Sequence, residues 1–344
     1  MRTHTKRRIT PLHVVLVALL SLLAACGSQA GATTNDEGKV EFRYQSIAGW
    51  VDTLQLADAL GYLPNIELVK EGDATGGPQM LQALVSNQVD IAISPFFGAT
   101  AQLVATGAPI KAVVSTYGSS GGISSSLVVP EDSTVKSAQD LVGKKIAVNT
   151  LGANAEAVLD TWFEEEGLTP EETDQITLVV LPPLNTEAAL RQGQIDAAYL
   201  SSGFLAIAQK QGGLKEVFKD TDVIGDYNGG GAVLTERFLE EYPDAAKEIA
   251  TGIAKAVQYI ESHEREETLA VYSEWLETNG YGDYVEAVSA NWAGSTGVPT
   301  PDASIRDEDI SLWLDWLKSR GDVDSSSIEP SDVYTNEFNE EASS

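Results

Sequence analysis

Gly118-Ser119-Ser120-Gly121-Gly122 places a serine in Gly-x-Ser-x-Gly spacing, just after a run that reads as a strand, Ile110–Ser115. A sharp strand-to-helix turn of that kind presents a serine hydroxyl for nucleophilic attack, provided a helix follows and a base stands nearby. Here Ile123–Val129 reads as another strand, so the helix is missing. The base is scarce too. His4 and His13 fall within the first 25 residues, leaving His263 as the one later imidazole, in Glu261-Ser262-His263-Glu264-Arg265, which reads as a solvated helix end. Acyl hydrolysis at Ser120 is therefore a remote alternative. A multi-histidine metal site is excluded by the same count. Asn228-Gly229-Gly230-Gly231 has no Gly-Lys-Ser after it, so it reads as a hinge or turn and not as a phosphate loop. The sequence calls for no metal and no cofactor.

Cys26 is the only cysteine. Arg2, Lys6, Arg7 and Arg8 precede an apolar run, Leu12 to Leu23, broken only by His13 and Ser21. A basic start, a short apolar stretch and small residues read as an export signal over residues 1–25. The run is shorter than the roughly 18 apolar residues that span a bilayer. Leu23-Ala24-Ala25-Cys26 resembles a bacterial lipobox. That resemblance implies diacylglycerol on the Cys26 thiol, cleavage before it, and anchoring on the extracytoplasmic face of the cell membrane. Two or more acyl chains anchor stably where one does not. An ordinary secretory signal with a chance cysteine is the alternative. With its sulfur lipidated, the mature chain has no thiol for a disulfide, a nucleophile or a metal.

The formal charge is −29. The first 25 residues carry four of the 22 Lys and Arg and no acid, so the remainder sets 18 basic residues against 51 acidic ones, a balance of −33. Such a surface repels nucleic acid and anionic lipid. Its self-repulsion eases in brine, where the Debye length falls to about 3 Å at 1 M salt. A halophilic source is one reading of this acidity. Hydrophobic content of 43% and charged content of 21% suit a globular chain long enough for two lobes.

Strand and helix patterns alternate twice. Val40–Gln45, Ile66–Val69, Val89–Ile93 and Ile110–Ser115 read as strands, with helices at Thr53–Leu60, Pro78–Ser86 and Gly98–Ala105 between them. The pattern restarts with strands Ser126–Val129, Lys145–Val148, Ile176–Leu181 and Ile195–Leu200, and helices Gly152–Glu166 and Thr186–Gln192. Alternation of this kind argues for βαβ units and parallel sheets. From Pro243 onward the helices are Pro243–Ser262, Glu266–Thr278, Tyr284–Trp292 and Asp307–Arg320. Gly118–Ser126 reads as one crossing between lobes and Asp226–Gly231 as a return. The expected organisation is a tether over 26–39, lobe one over 40–118 plus 230–322, lobe two over 119–229, and a mobile acidic tail over 323–344. Two sequential domains with no return are the alternative.

Three segments carry a family resemblance. They are Ser137–Val148, with Asp140-Leu141-Val142-Gly143-Lys144-Lys145-Ile146-Ala147-Val148 at its heart; Leu181-Pro182-Pro183 followed by Ala188–Tyr199; and Leu81–Ala92. Together they resemble the solute-binding proteins of nitrate/sulfonate/taurine-type ABC importers. The resemblance implies an α/β fold of the type II periplasmic-binding-protein kind, with two Rossmann-like lobes, a hinge, and C-terminal helices on lobe one. It further implies a monomer that takes a small solute and presents it to a membrane permease.

Ligands of open α/β sheets bind beyond the carboxyl ends of the strands. The corresponding turns are Gln45–Trp50, Ser94–Gly98, Thr116–Ser120, Asn149–Asn154, Ser201–Phe204 and Tyr227–Gly230. Candidate contacts are Gln45, Trp50, Phe96, Phe97, Tyr117, Ser201 and Asn228. Packing in a core accounts for the aromatic ones nearly as well. By family position, Thr150, Gly152 and Asn154 lie where a helix start offers free N–H groups to an anion. None of the six turns holds Lys or Arg, which weakens a simple sulfonate assignment. Asp52 is either a helix-start carboxylate or the partner of a ligand ammonium. The expected activity is solute capture by lobe closure without catalysis. A sulfonate- or taurine-like solute is the first choice, and a neutral N-heterocycle such as a thiamine pyrimidine precursor is the alternative.

Overall fold

The computed structural model describes residues 32–324 and 328–342. The expected signal over 1–25, lipidated Cys26 and the first part of the tether lie outside the described residues. The strands are β1 (Thr33–Thr34), β2 (Val40–Ser46), β3 (Ile66–Asp73), β4 (Ile110–Ser119), β5 (Ser126–Pro130), β6 (Lys145–Val148), β7 (Thr177–Val180), β8 (Ala197–Leu200), β9 (Leu214–Lys219) and β10 (Tyr227–Thr235). Helices of seven residues or more are α1 (Thr53–Ala59), α2 (Gly77–Val85), α3 (Phe97–Ala105), α4 (Asn154–Glu165), α5 (Pro183–Arg191), α6 (Ser202–Gln211), α7 (Pro243–Ser262), α8 (Arg265–Thr278), α9 (Val285–Asn291) and α10 (Asp307–Arg320).

The first sheet grows from β2, whose alternation buries Phe42 and Tyr44. β3 pairs with it in parallel and β1 antiparallel. The segment Val89–Ile93, read from sequence as a strand, is extended but not a regular one. The Asp90 amide donates to Arg43 O at 2.8 Å, and Ala92 bridges Val233. The Asp90 carboxylate fixes this segment by accepting from the Arg43 amide, Nε and Nη2. β4 and β10 then pair antiparallel.

The second sheet has the order β7-β6-β8-β5-β9. β6 lies parallel to β7 and β8, while β5 runs antiparallel to β8 and β9. The β4–β10 pair is a separate antiparallel ribbon, joined through the Ala92–Val233 bridge to the layer of β1-β2-β3 and counted with it as the first sheet, so both layers mix parallel and antiparallel pairs where the sequence pattern suggested parallel ones. The cause is the chain path. β5 and β10 each enter one sheet from the other, and so run against their neighbours.

Alternation along β5 divides the packing. Leu127 and Val129 join an apolar cluster that continues into the first sheet through Trp313, whereas Val128 joins a smaller cluster with Ala147, Leu190 and Leu200. α10 packs on α3 and reaches α4, where Trp316 Nε1 donates to Asp160 Oδ2 at 3.1 Å. Arg320 continues that contact, with Nη1 at 2.6 Å from Glu156 and 2.8 Å from Asp160.

Two expectations of mobility are corrected over the described residues. From Ala32 the tether is held, since β1 pairs with β2 and the Tyr242 hydroxyl donates to Ala32 O at 2.8 Å. The acidic tail docks over 328–342. Val333 and Phe338 are buried there, and Tyr334 bridges Ala112. A few apolar side chains anchor this segment although most of its neighbours are acidic or polar.

Candidate functional site

All six strand-end turns named above contribute to one cavity of about 240 Å³ between the two sheets. Trp50, Phe96, Tyr117, Thr150, Asn154 and Ser201 line it. The other four candidates lie elsewhere. Gln45 stays within β2, paired opposite Gly72. Phe97 points into the core, fully buried. The Gly152 amide donates to Glu156 Oε2 at 2.8 Å, so it is not free for a ligand. Asn228 is fully buried, its amide and Nδ2 donating to Asp309 at 3.1 and 2.8 Å.

Helix starts face the cavity from both sheets. Residues at the beginnings of α2 (Gly76, Gly77), α4 (Ala153, Asn154) and α6 (Ser201, Ser202) line it, and none of these three helices has a side-chain cap. Uncapped N–H groups and the helix dipole favour negative charge there. Gly77 permits the close approach at α2, because a Cβ on it would stand 2.7 Å from Pro95 Cα.

Among the described residues no Lys, Arg or His lines the cavity, and Asp52 is its one ionisable carboxyl group. Asp52 caps α1, its Oδ1 accepting from the Leu54 and Gln55 amides at 2.9 and 3.3 Å. It is 7% exposed, and Oδ2 has no hydrogen-bond partner. Burial raises its pKa to about 6, against the lowering pull of the two amides and Lys70. Thr53 and Tyr199 also line the cavity with buried hydroxyls, and burial pushes the Tyr199 hydroxyl well above its ordinary pKa, against a smaller lowering pull from Ser125.

The aromatic walls are set by local sequence. Trp50 meets Phe204 of α6 with ring centroids 6.0 Å apart. Phe96 packs edge-on against Trp313 at 4.7 Å. Tyr117 lies against the glycines of β10, where a Cβ on Gly229 or Gly230 would stand 2.5 Å from its ring. The Asn228–Gly231 run is thus a seat for Tyr117 within the crossing strand. Behind it, Asn154 Nδ2 donates to the Tyr227 hydroxyl at 3.1 Å, which donates to buried Asp220 at 3.0 Å. Ser119 Oγ donates to the same carboxylate oxygen at 2.6 Å.

The serine constellation does not assemble. Ser120 Oγ donates to Gly297 O at 2.9 Å and is not among the lining residues. His263 is exposed and stacks on Tyr259, with Nδ1 near Tyr259 O and Ser262 Oγ. Several lining residues were missed in the sequence. Thr75, Gly76 and Gly77 follow β3, and applying the strand-end rule to that strand finds them. Trp292, Ser295 and Thr296 come from the segment after α9, which no strand-end rule reaches.

Known proteins share this architecture. A protein of Escherichia coli (strain K12) named for aliphatic sulfonate binding is 31% identical over 154 residues, covering 43% of this chain and 44% of that relative. The chain therefore matches less than half the length of that relative. The alkanesulfonate-binding protein SsuA from Xanthomonas axonopodis pv. citri, bound to MOPS, superimposes with a TM-score of 0.63 at 18% identity, covering 88% of this chain and 100% of that one. The desulfurization enzyme DSZB superimposes with a TM-score of 0.58 at 13% identity, covering 87% and 97%. Both likenesses fix the fold, which carries a receptor in one case and an enzyme in the other. A model of the family described as NMT1/THI5 like matches residues 57–267, more than half of the sequence, and the chain belongs to that family.

Proposed function

We propose that this chain is an extracytoplasmic, lipid-anchored solute receptor for an ABC importer. The two sheets and their helices form lobes that close on a small solute, sulfonate- or taurine-like, and the closed monomer meets its permease. Lobe one takes residues 40–118 and 230–322, lobe two takes 119–229, and Cys26 carries the lipid. The observation that supports this most is the cavity itself. It lies between the sheets, is walled by aromatic rings, and faces three uncapped helix starts, an arrangement suited to a small anionic group. Non-enzymatic action is supported by Ser120 and His263 lying apart, each with its own partners.

A neutral N-heterocycle is the second reading, favoured by the aromatic pair Trp50 and Phe204 together with the lack of lining cations among the described residues. A thermal-shift panel of taurine, alkanesulfonates, nitrate and thiamine pyrimidine precursors separates the two. A true solute at about 100 times its dissociation constant adds about 2.7 kcal/mol of stability. Small-angle scattering on the same samples is expected to show contraction. Binding by no member of the panel, or binding with no contraction, would sink the receptor reading.

A further inference from the structure

We infer that Gly203 is a positioning residue for solute capture: it lets the start of α6 seat backbone against backbone on segment 291–296, and that seat forms as the lobes close. This rests on the receptor reading above and names the contact that completes the closure.

Gly203 is the second residue of α6 and is buried. A Cβ on it would stand 1.9 Å from Asn291 O and 3.7 Å from Ala293 N, so no larger residue fits while the two segments lie this close. Its backbone does not ask for glycine, since its φ is not positive. Alanine forms helix more readily than glycine does. The close approach is thus the reason for glycine at this position. Asn291 is met from its other side as well, where its Nδ2 would stand 3.4 Å from a Cβ on Gly49. The residues that follow those two glycines are Trp50 and Phe204, whose rings meet 6.0 Å apart. Gly203, Phe204, Asn291 and Trp50 all line the cavity.

Segment 291–296 is anchored by α7, α8 and β4. Arg265, which opens α8, donates from Nε to Trp292 O at 3.0 Å and from Nη2 to Ser289 O. Glu261 of α7 accepts from the Thr296 amide at 2.8 Å and from the Ser295 and Thr296 hydroxyls at 2.7 and 2.9 Å. The Gly118 amide of β4 donates to Thr296 O at 3.0 Å. These bonds make the segment a fixed sill, on which residues 119–229 come to rest. Elsewhere on the cavity rim the contact of Gly76 with Thr150 is looser, since a Cβ on Gly76 would stand 3.9 Å from Thr150 Cγ2. Gly203 is thus the tight point. A methyl group there holds the uncapped start of α6 and the Phe204 ring back from the cavity. With the lobes apart, the same methyl group is clear of Asn291 and favours the helix.

Gly203→Ala tests this by three measurements on the purified protein. Isothermal titration and small-angle scattering with taurine, ethanesulfonate, nitrate and a thiamine pyrimidine precursor are run on parent and variant. Melting without solute is followed by circular dichroism. The variant is expected to bind the probe that contracts the parent at least tenfold more weakly, to contract less with it at saturation, and to melt no lower than the parent. Unchanged affinity or full contraction overturns the proposal and leaves the receptor reading standing. A variant that melts lower without solute also overturns it, because Gly203 then packs the fold whether or not solute is bound. If no probe contracts the parent, the receptor reading falls and the proposal falls with it. The parent's own response therefore tells the two failures apart.

Discussion

The indole of Trp50 and the ring of Phe204 meet with centroids 6.0 Å apart and planes tilted by 58°. Trp50 follows β2 of the first sheet and Phe204 belongs to α6 beside the second, so the pair spans the cavity. Tilted aromatic pairs contribute roughly 0.5–1.5 kcal/mol beyond their buried area. Phe204→Ala is expected to weaken solute binding about tenfold by titration calorimetry. Trp50→Ala should cost at least as much, and the double variant less than the sum. Strict additivity would mean the rings act independently.

Asp52 links stability to pH. Its folded pKa of about 6 lies above the ordinary carboxylate value of 3.8, with burial the main cause. The folded state therefore holds this proton more tightly than the unfolded one. Its charged form destabilises above pH 6, and the penalty fades as pH falls from about 7 to 4. Two pK units correspond to about 3 kcal/mol. Asp52→Asn keeps the cap and removes the charge. It should melt higher than the parent at pH 7.5, with the gap closing by pH 4, as followed by circular dichroism. A gap that does not change with pH would contradict the assignment.

Gly230 is read as indispensable on steric grounds. A methyl group there would meet Pro95 and stand 2.5 Å from the Tyr117 ring. Gly230→Ala is expected to cost about 3 kcal/mol through overpacking, a fall of roughly 5 °C in melting temperature. Gly282→Ala is the control, because its new carbon would have nothing closer than 3.8 Å. Similar melting curves for the two variants would refute the seat described for Tyr117.

Arg320 holds α10 to α4 through Glu156 and Asp160. Its side chain is 36% exposed, so solvent screens part of the attraction. Arg320→Gln leaves three carboxylates, those of Glu156, Asp160 and Asp322, without their cation and should cost about 2 kcal/mol in urea unfolding. Arg320→Lys should recover only part of this, since an ammonium cannot reproduce the guanidinium fork. Full recovery with lysine would show that charge alone matters.

A charge of −29 predicts a salt response of the whole molecule. Screening relaxes repulsion among the surface carboxylates. The melting temperature should climb as potassium chloride rises from 0.1 to 2 M, even though ion pairs such as Arg320–Glu156 weaken. A flat or falling trend would argue against adaptation to brine.

Much of the fold was legible because its signals are local. The apolar stripe and Pro243 mark α7, and its limits at Pro243 and Ser262 match the sequence reading. α10 is likewise found at Asp307–Arg320, where Gly321 in the left-handed conformation ends it. What depends on distant partners was not legible. Phe96 and Phe97 are adjacent and chemically alike, yet Phe96 lines the cavity and Phe97 packs in the core, because a helix begins between them and turns them apart. Asn228 looked like a contact residue, but Asp309, 81 positions later, takes both its amide and its side chain. The same holds for Trp292, which comes to the cavity wall through the path taken after α9.

Ala32 and Phe338 both attach to α7 or the residue just before it. Ala32 accepts from Tyr242, and Phe338 accepts from Thr251 at 3.3 Å. Nine residues of helix rise about 14 Å, so the two attachment points are near neighbours on one rigid rod. Dyes placed at Ala32 and Phe338 would travel together and report no movement elsewhere in the fold. A sensor of the lobe closure proposed above needs one dye within residues 119–229 and the other on α7.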